Sequence, residues 1–241
     1  MPSSPDRKKV LAFGRVPAFR RYELFMERYR SAAALIEAHL DLHPGSRILD
    51  VGAGHGLMKR FFGQNTGSWW GIEPWKERAE RCRRLGYEIV DLDLDQSSLP
   101  FPDGHFDVVI GSHVIEHLED SGAAVRDMGR VTKPGGLLMI ATPTKPPLLA
   151  GVVQIYHRRR RSKSGDTQNA FTARSLRKHL VSNLGPDWDL LDCRGFRVLS
   201  ARRQLPLENY RWFYRANLAL ARALPWMVPE VNVLLQKPID S

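Results

Sequence analysis

The sequence predicts an α/β protein built on a doubly wound, mostly parallel sheet with helices on both faces. Three observations predict it. The apolar residues Ile48, Leu49 and Val51 empty into the glycine-dense loop Gly52, Ala53, Gly54, His55, Gly56, as a strand buried on both faces does where it opens a ligand crevice. Short apolar runs at 69–72, 88–94, 106–110 and 137–141 alternate with helical stretches, the order that builds a parallel sheet. At 241 residues and 43% hydrophobic composition, the chain can bury the core of one such domain.

Each element follows from its residues. Residues 1–17 are polar, basic and punctuated by proline, and are expected to form an arm. In 19–42, Tyr22, Phe25, Met26, Tyr29, Ala33, Ile36 and Leu40 recur at helical spacing until Pro44 and Gly45 stop the run. The glycine loop departs from the dinucleotide pattern G-x-G-x-x-G, because its third glycine comes one residue early. Asp50, two residues before Gly52, suits a cationic amino group better than a pyrophosphate. Residues 57–62 are expected to continue as a helix. The strand at 69–72 ends at Glu73, where a carboxylate can accept both ribose hydroxyls, and Pro74 opens a helix whose arginines form a solvated face. The strand at 88–94 ends in an alternating run of Asp91, Asp93 and Asp95, any of which can also close a turn.

Pro102, Asp103 and Gly104 make a turn before the strand at 106–110, and Ser112 and His113 fall at its carboxyl edge. Residues 114–118 are expected to open a helix that continues through 126–132. Lys133, Pro134, Gly135 and Gly136 turn the chain into the strand at 137–141. Beyond it, five of the six residues from Arg158 to Lys163 are basic. Thr172 caps a helix with Leu176, Leu180 and Leu184 on one face, stopped by Gly185 and Pro186. A strand at 196–200 is expected to pair with 231–236. Between them, 210–224 reads as an amphipathic helix suited either to cover the substrate pocket or to lie at a membrane surface.

Four stretches, DVGAGHG at 50–56, GIEP at 71–74, LPFPDGHFDVVIGSHVIEHL at 99–118 and KPGGLLMIATP at 133–143, resemble the ordered motifs of the class I S-adenosylmethionine-dependent methyltransferases. The resemblance implies a Rossmann-like sheet of seven strands, mostly parallel, with an antiparallel last strand. An N-terminal arm and cap helix at 1–43 would partly cover the site, with Tyr22, Arg28 and Tyr29 as the residues to watch. The methyltransferase domain, 44–241, would carry a basic lid loop at 144–170 and a helical insertion at 201–230. The implied cofactor is S-adenosyl-L-methionine, leaving as S-adenosyl-L-homocysteine. Asp50 with Gly52, Ala53, Gly54 and Gly56 would hold its methionine end, beside the backbone of Ser112 and His113. Glu73 and Pro74 would meet the ribose, while Asp93 accepts from the adenine amino group and the Leu94 amide faces a ring nitrogen, with Asp95 as the alternative to Asp93.

The implied reaction is methyl transfer to a small-molecule or lipid-like acceptor, an anionic one included, with oxygen favoured over nitrogen. The Asp/Asn-Pro-Pro-Tyr motif of amino-methylating nucleic-acid enzymes is replaced by Gly111, Ser112, His113 and Val114. His113, His117 and His157 are the candidate bases. Glu116 and His117 make a metal pair without a third ligand, so no metal is expected. A net charge of +10 and a pI near 9.9 favour anionic partners or a solvated basic surface. With only Tyr156 near the arginine run, nucleic acid is a weak expectation. Two distant cysteines, Cys82 and Cys193, a start without a long apolar core, and no run near the ~18 residues of a spanning helix point to a cytoplasmic protein with at most peripheral membrane contact. The rival readings are a nicotinamide dehydrogenase, a cofactor-binding protein without turnover, and a methyltransferase acting on RNA or protein.

Overall fold

The computed structural model describes residues 19–63, 66–145, 169–195, 211–224 and 227–239. Its strands β1 (Arg47–Val51), β2 (Ser68–Ile72), β3 (Tyr87–Val90), β4 (Phe106–Ser112), β5 (Thr132–Pro143), β6 (Asp189–Gly195) and β7 (Glu230–Gln236) make one sheet. The order is β3-β2-β1-β4-β5-β7-β6. β1 to β5 pair in parallel, and β7 runs antiparallel to both β5 and β6. The chain leaves β1 in one direction for β2 and returns for β4 in the other, so the crevice opens at the carboxyl ends of these strands.

Strand residues alternate between two cores. Leu49, Val51, Val109, Leu138, Ile140, Val231, Val233 and Leu235 pack with α3 (Ser121–Val131), α4 (Ala173–Leu184) and Ala221 of α5 (Arg211–Ala223). On the other face, Ile48, Val108, Ile110, Leu137, Met139 and Leu234 pack with Ala32, Ala33, Leu35 and Ile36 of α1 (Phe19–Glu37) and Cys82 of α2 (Lys76–Arg84). With both faces covered, the central strands read as continuous apolar runs.

Several elements differ from the sequence expectation, each for a local reason. After the glycine loop there is only a 3-10 turn, Met58–Phe61, whose preceding residue Leu57 offers no side-chain cap; the loop's amides therefore do not open a full helix. Residues 114–118 are turns rather than helix. Asn169 Nδ2 donates to the Ile115 and Leu118 carbonyls, at 3.2 and 2.8 Å. The helix waits for Asp120, whose side chain accepts from the Ala123 amide. β3 ends at Val90, short of the aspartate run. The partner of β7 is Asp189–Gly195, in register from Asp189 opposite Gln236 to Gly195 opposite Val231, upstream of 196–200, which lie outside the described residues. Its aspartates read as loop in isolation, but pairing with the buried β7 decides the matter. The Thr172 cap is present as a reciprocal capping box with Ser175.

Because Ile36 is fully buried between α1 and the sheet, Ile36→Ala is expected to destabilise the fold by about 2–5 kcal/mol in urea titration.

Candidate active site

Three glycines of the loop after β1 are left-handed, Gly52 at φ 67, Gly54 at φ 57 and Gly56 at φ 66. Gly52 and Gly56 also lack room: a Cβ would stand 2.5 Å from Val114 Cγ2 at the first and 2.9 Å from Leu85 Cδ1 at the second. Gly54 differs. Among the described residues, a Cβ there meets nothing closer than the Gly52 carbonyl oxygen, at 3.8 Å, so this is where a ligand can approach bare backbone. The loop is held still behind that opening. The Gly54 amide donates to Glu73 Oε2 at 2.8 Å, its carbonyl accepts from Cys82 Sγ at 3.4 Å, and the Ala53 amide donates to the Ile72 carbonyl at 2.9 Å.

Two buried carboxylates flank the loop. Asp50 is 3% exposed, and the Tyr87 hydroxyl donates to its Oδ2 at 3.2 Å. Burial, helped by the nearby Glu73 charge and opposed by the Tyr87 hydrogen bond, pushes the Asp50 carboxyl up to about 7. Glu73, equally buried, accepts the Trp75 amide at Oε1, 3.1 Å away. Pro74 beside it is exposed. In the turn after β3, Asp95 Oδ1 accepts from the Glu119 amide at 2.8 Å, tying that turn to the segment after β4. Asp93 is exposed, and its Oδ1 closes the turn by accepting from the Asp95 amide at 3.1 Å. Leu94 is half-buried.

A second cluster lies at the carboxyl edge of β4, beyond the half-buried Ser112. His113 adopts φ 58, the only left-handed non-glycine among the described residues, a conformation that costs about 1–3 kcal/mol unless the surroundings enforce it. Here they do. Its amide donates to the Ala141 carbonyl at 2.8 Å, its Nε2 lies 2.7 Å from Glu230 Oε1, and its Nδ1 lies 3.2 Å from Glu116 Oε1. Arg28 Nη1 reaches the same Nε2 at 3.0 Å, and Arg28 Nε lies 3.6 Å from Glu230 Oε1. Thr142 Oγ1 donates to Glu116 Oε2 at 3.0 Å. Burial alone would lower the His113 pKa, but the Glu116 and Glu230 carboxylates outweigh burial and the Arg28 charge and push it up to about 9. The two carboxylates thus favour the protonated form of this imidazole.

The structure thus gathers Asp50, the glycines and Glu73 in one place and His113 and Glu116 in another. His117 is half exposed, with its Nε2 3.9 Å from Glu116 Oε1, and His157 lies outside the described residues, as does the side chain of Tyr22. Tyr29 stacks on Phe61 with ring centroids 5.9 Å apart. Sequence reasoning passed over Tyr87, Cys82, Thr142 and Glu230. Only Glu230 left a signal: with Asn232 it is a polar intrusion in the apolar strand EVNVLLQ.

A group whose pKa is raised from 6.5 to about 9 on folding binds a proton that the unfolded chain releases in between, so its contribution is complete below pH 6.5 and lost as pH rises through 9. Urea midpoints of the protein are therefore expected to fall over that interval, by up to ~3 kcal/mol in stability, and His113→Gln is expected to flatten the profile.

Residues 20–185 match the family model described as a methyltransferase domain. The ubiquinone/menaquinone biosynthesis C-methyltransferase UbiE of Burkholderia cenocepacia is 35% identical over 119 residues, which are 46% of this chain and 49% of that protein. UbiE of Burkholderia ambifaria matches equally. The chain spans about half the length of these curated relatives. An S-adenosylmethionine-dependent methyltransferase from Mesorhizobium loti shares the fold at a TM-score of 0.58 and 18% identity, over 85% of this chain and 96% of that one. The cyclase SpnF does so at 0.57 and 18%, over 88% of this chain and 81% of its own. Motif order, sheet topology and the matched domain agree, and the chain belongs to the class I S-adenosylmethionine-dependent methyltransferases.

Proposed function

We propose that this protein transfers a methyl group to the oxygen of a small, lipid-like hydroxylated acceptor. S-adenosylmethionine, when bound, supplies a sulfonium methyl for displacement. The cradle fits such a group: an open backbone face at Gly54 lies between two buried carboxylates, one for an ammonium and one for a diol. In this reading Asp50 pairs with the methionine ammonium, Glu73 accepts from the ribose hydroxyls, and Asp93 and the Leu94 amide meet the adenine edge. Ala53, Gly52 and Gly56 set the loop's shape, and Ser112 lines its far side.

The observation that carries the acceptor class is the half-buried His113 held between Glu116 and Glu230, with Arg28 against it. A protonated imidazole is a poor base at neutral pH, and here both of its N–H groups face carboxylates. An acceptor hydroxyl acidic enough to ionise on binding, such as a phenol, is then held as its anion by the Arg28 guanidinium, which His113 helps to position. The network supplies position, which is a large part of what a displacement needs from its protein. Carbon methylation is the second reading, favoured by the C-methyltransferase names of the relatives. The same oxyanion passes charge to a ring carbon, so the two readings share His113 and differ in the product. Incubation with a panel of phenols and quinols, with S-adenosylhomocysteine release as the rate and NMR of the product as the assignment, decides between them. No release with any acceptor would overturn the enzymatic reading in favour of a cofactor-binding protein.

Two quantitative outcomes are expected. The ammonium needs ionised Asp50, so calorimetric affinity for S-adenosylhomocysteine is expected to weaken as pH drops below about 7, by roughly tenfold per pH unit, and Asp50→Asn is expected to remove that dependence. His113→Gln is expected to lower kcat/KM by roughly 10²-fold while leaving S-adenosylhomocysteine affinity unchanged, and to abolish the loss of activity above about pH 9.

A further inference from the structure

We infer that the outer face of α5 is a docking surface for anionic lipid bilayers. The helix buries Phe213, Asn217 and Ala221 at helical spacing, with Phe213 9% and Ala221 0% exposed, and Ala221 belongs to the core beneath. Beside this buried face runs an exposed flank that is apolar. Trp212 is 62% and Leu220 41% exposed, and Ala216, Ala219 and Ala223 complete the stripe, with Arg215 at its margin. Residues at these intervals share one side of a helix. Met227, three residues past the last turn that residue 224 closes, adds a further apolar side chain, 44% exposed. Helix positions 211, 215 and 222, all arginine, also lie away from the buried face, so an apolar flank bearing an indole runs alongside a basic one.

Charge identifies the occupant. The helix carries three arginines, Arg211, Arg215 and Arg222. The helix itself has no acidic residue. An apolar stripe with tryptophan, flanked by arginine, is the composition that settles in the headgroup region of a negatively charged leaflet. A second protein copy would instead need acidic groups to meet these arginines, and the chain as a whole carries +10. The surface is also continuous with the site. After Met227, the Val228 carbonyl accepts from Thr144 Oγ1 at 2.6 Å, the Pro229 carbonyl accepts from the Thr144 amide at 2.8 Å, and the next residue is Glu230. A bilayer held at α5 therefore lies beside the acceptor end of the cleft. The inference does not depend on methyl transfer.

Flotation of the purified protein with vesicles tests it. Co-flotation is expected with phosphatidylglycerol-containing vesicles and not with pure phosphatidylcholine, weakening as salt is raised. Trp212→Ser combined with Leu220→Ser is expected to reduce the bound fraction roughly tenfold with an unchanged thermal transition, since both side chains are exposed. Arg215→Glu is expected to weaken binding at low salt more than at high salt. Two results would overturn the inference: no flotation of the wild-type protein, or a wild-type dimer in light scattering that the Trp212/Leu220 double variant returns to monomer.

Discussion

The imidazole of His113 sits where four separate parts of the chain must meet. β4 delivers it, the segment before α3 supplies Glu116, β7 supplies Glu230, and α1 supplies Arg28. Each of these charged groups is costly to bury alone, and together they come close to neutral. The arrangement also explains why the backbone tolerates φ 58 at a residue with a side chain: the contacts on both ring nitrogens and the amide bond to Ala141 leave it no other conformation. Removing any one partner would leave a buried charge uncompensated, so the network behaves as a unit rather than as a sum of pairs.

The cofactor side works differently. There the constraint is steric and the side chains act mainly as struts. Glu73 and Cys82 grip Gly54 from opposite sides, and Tyr87 supports both Asp50 and, through its hydroxyl, the Lys59 amide at 3.2 Å. Carboxylates already stripped of water and already oriented cost little to reorganise when a cation or a diol arrives. The price is paid by folding, which must bury Asp50 with a pKa near neutrality. The rigid glycine-loop cradle and the charge-balanced His113 cluster thus share one sheet edge but rest on separate physics.

How much of this was legible depended on whether a residue's role was local. The glycine loop, Asp50 and Glu73 could be read because strand, turn and carboxylate are contiguous in sequence, and the Thr172 cap because Ser175 lies three residues away. The partner of β7, expected at 196–200, is Asp189–Gly195, because aspartates discourage a strand until a buried neighbour claims it. The short helix expected after the loop failed for want of a cap. Glu230 showed only as a polar break in an apolar strand, since its partner is 117 positions away, and Tyr87 stood just outside the strand expected at 88–94. Contacts made across the sheet carry no sequence period, so the His113 cluster could not be assembled before the fold was known.

The position of β7 has a consequence for the chain as it is made. β7 is inserted between β5 and β6, yet it is translated after both, and its lower end is fixed by Lys237 Nζ, which donates to the Gly129 and Thr132 carbonyls at 3.0 and 2.8 Å. Until it arrives, β5 has a bare edge, β6 has no neighbour, and His113 lacks one of its two carboxylates. The glycine-loop cradle, made of β1 to β4, can form while the ribosome is still working, whereas the His113 cluster cannot be completed. A nascent chain would therefore shape the loop around Gly54 before Glu230 could reach His113, and the two halves of the sheet edge would mature in sequence.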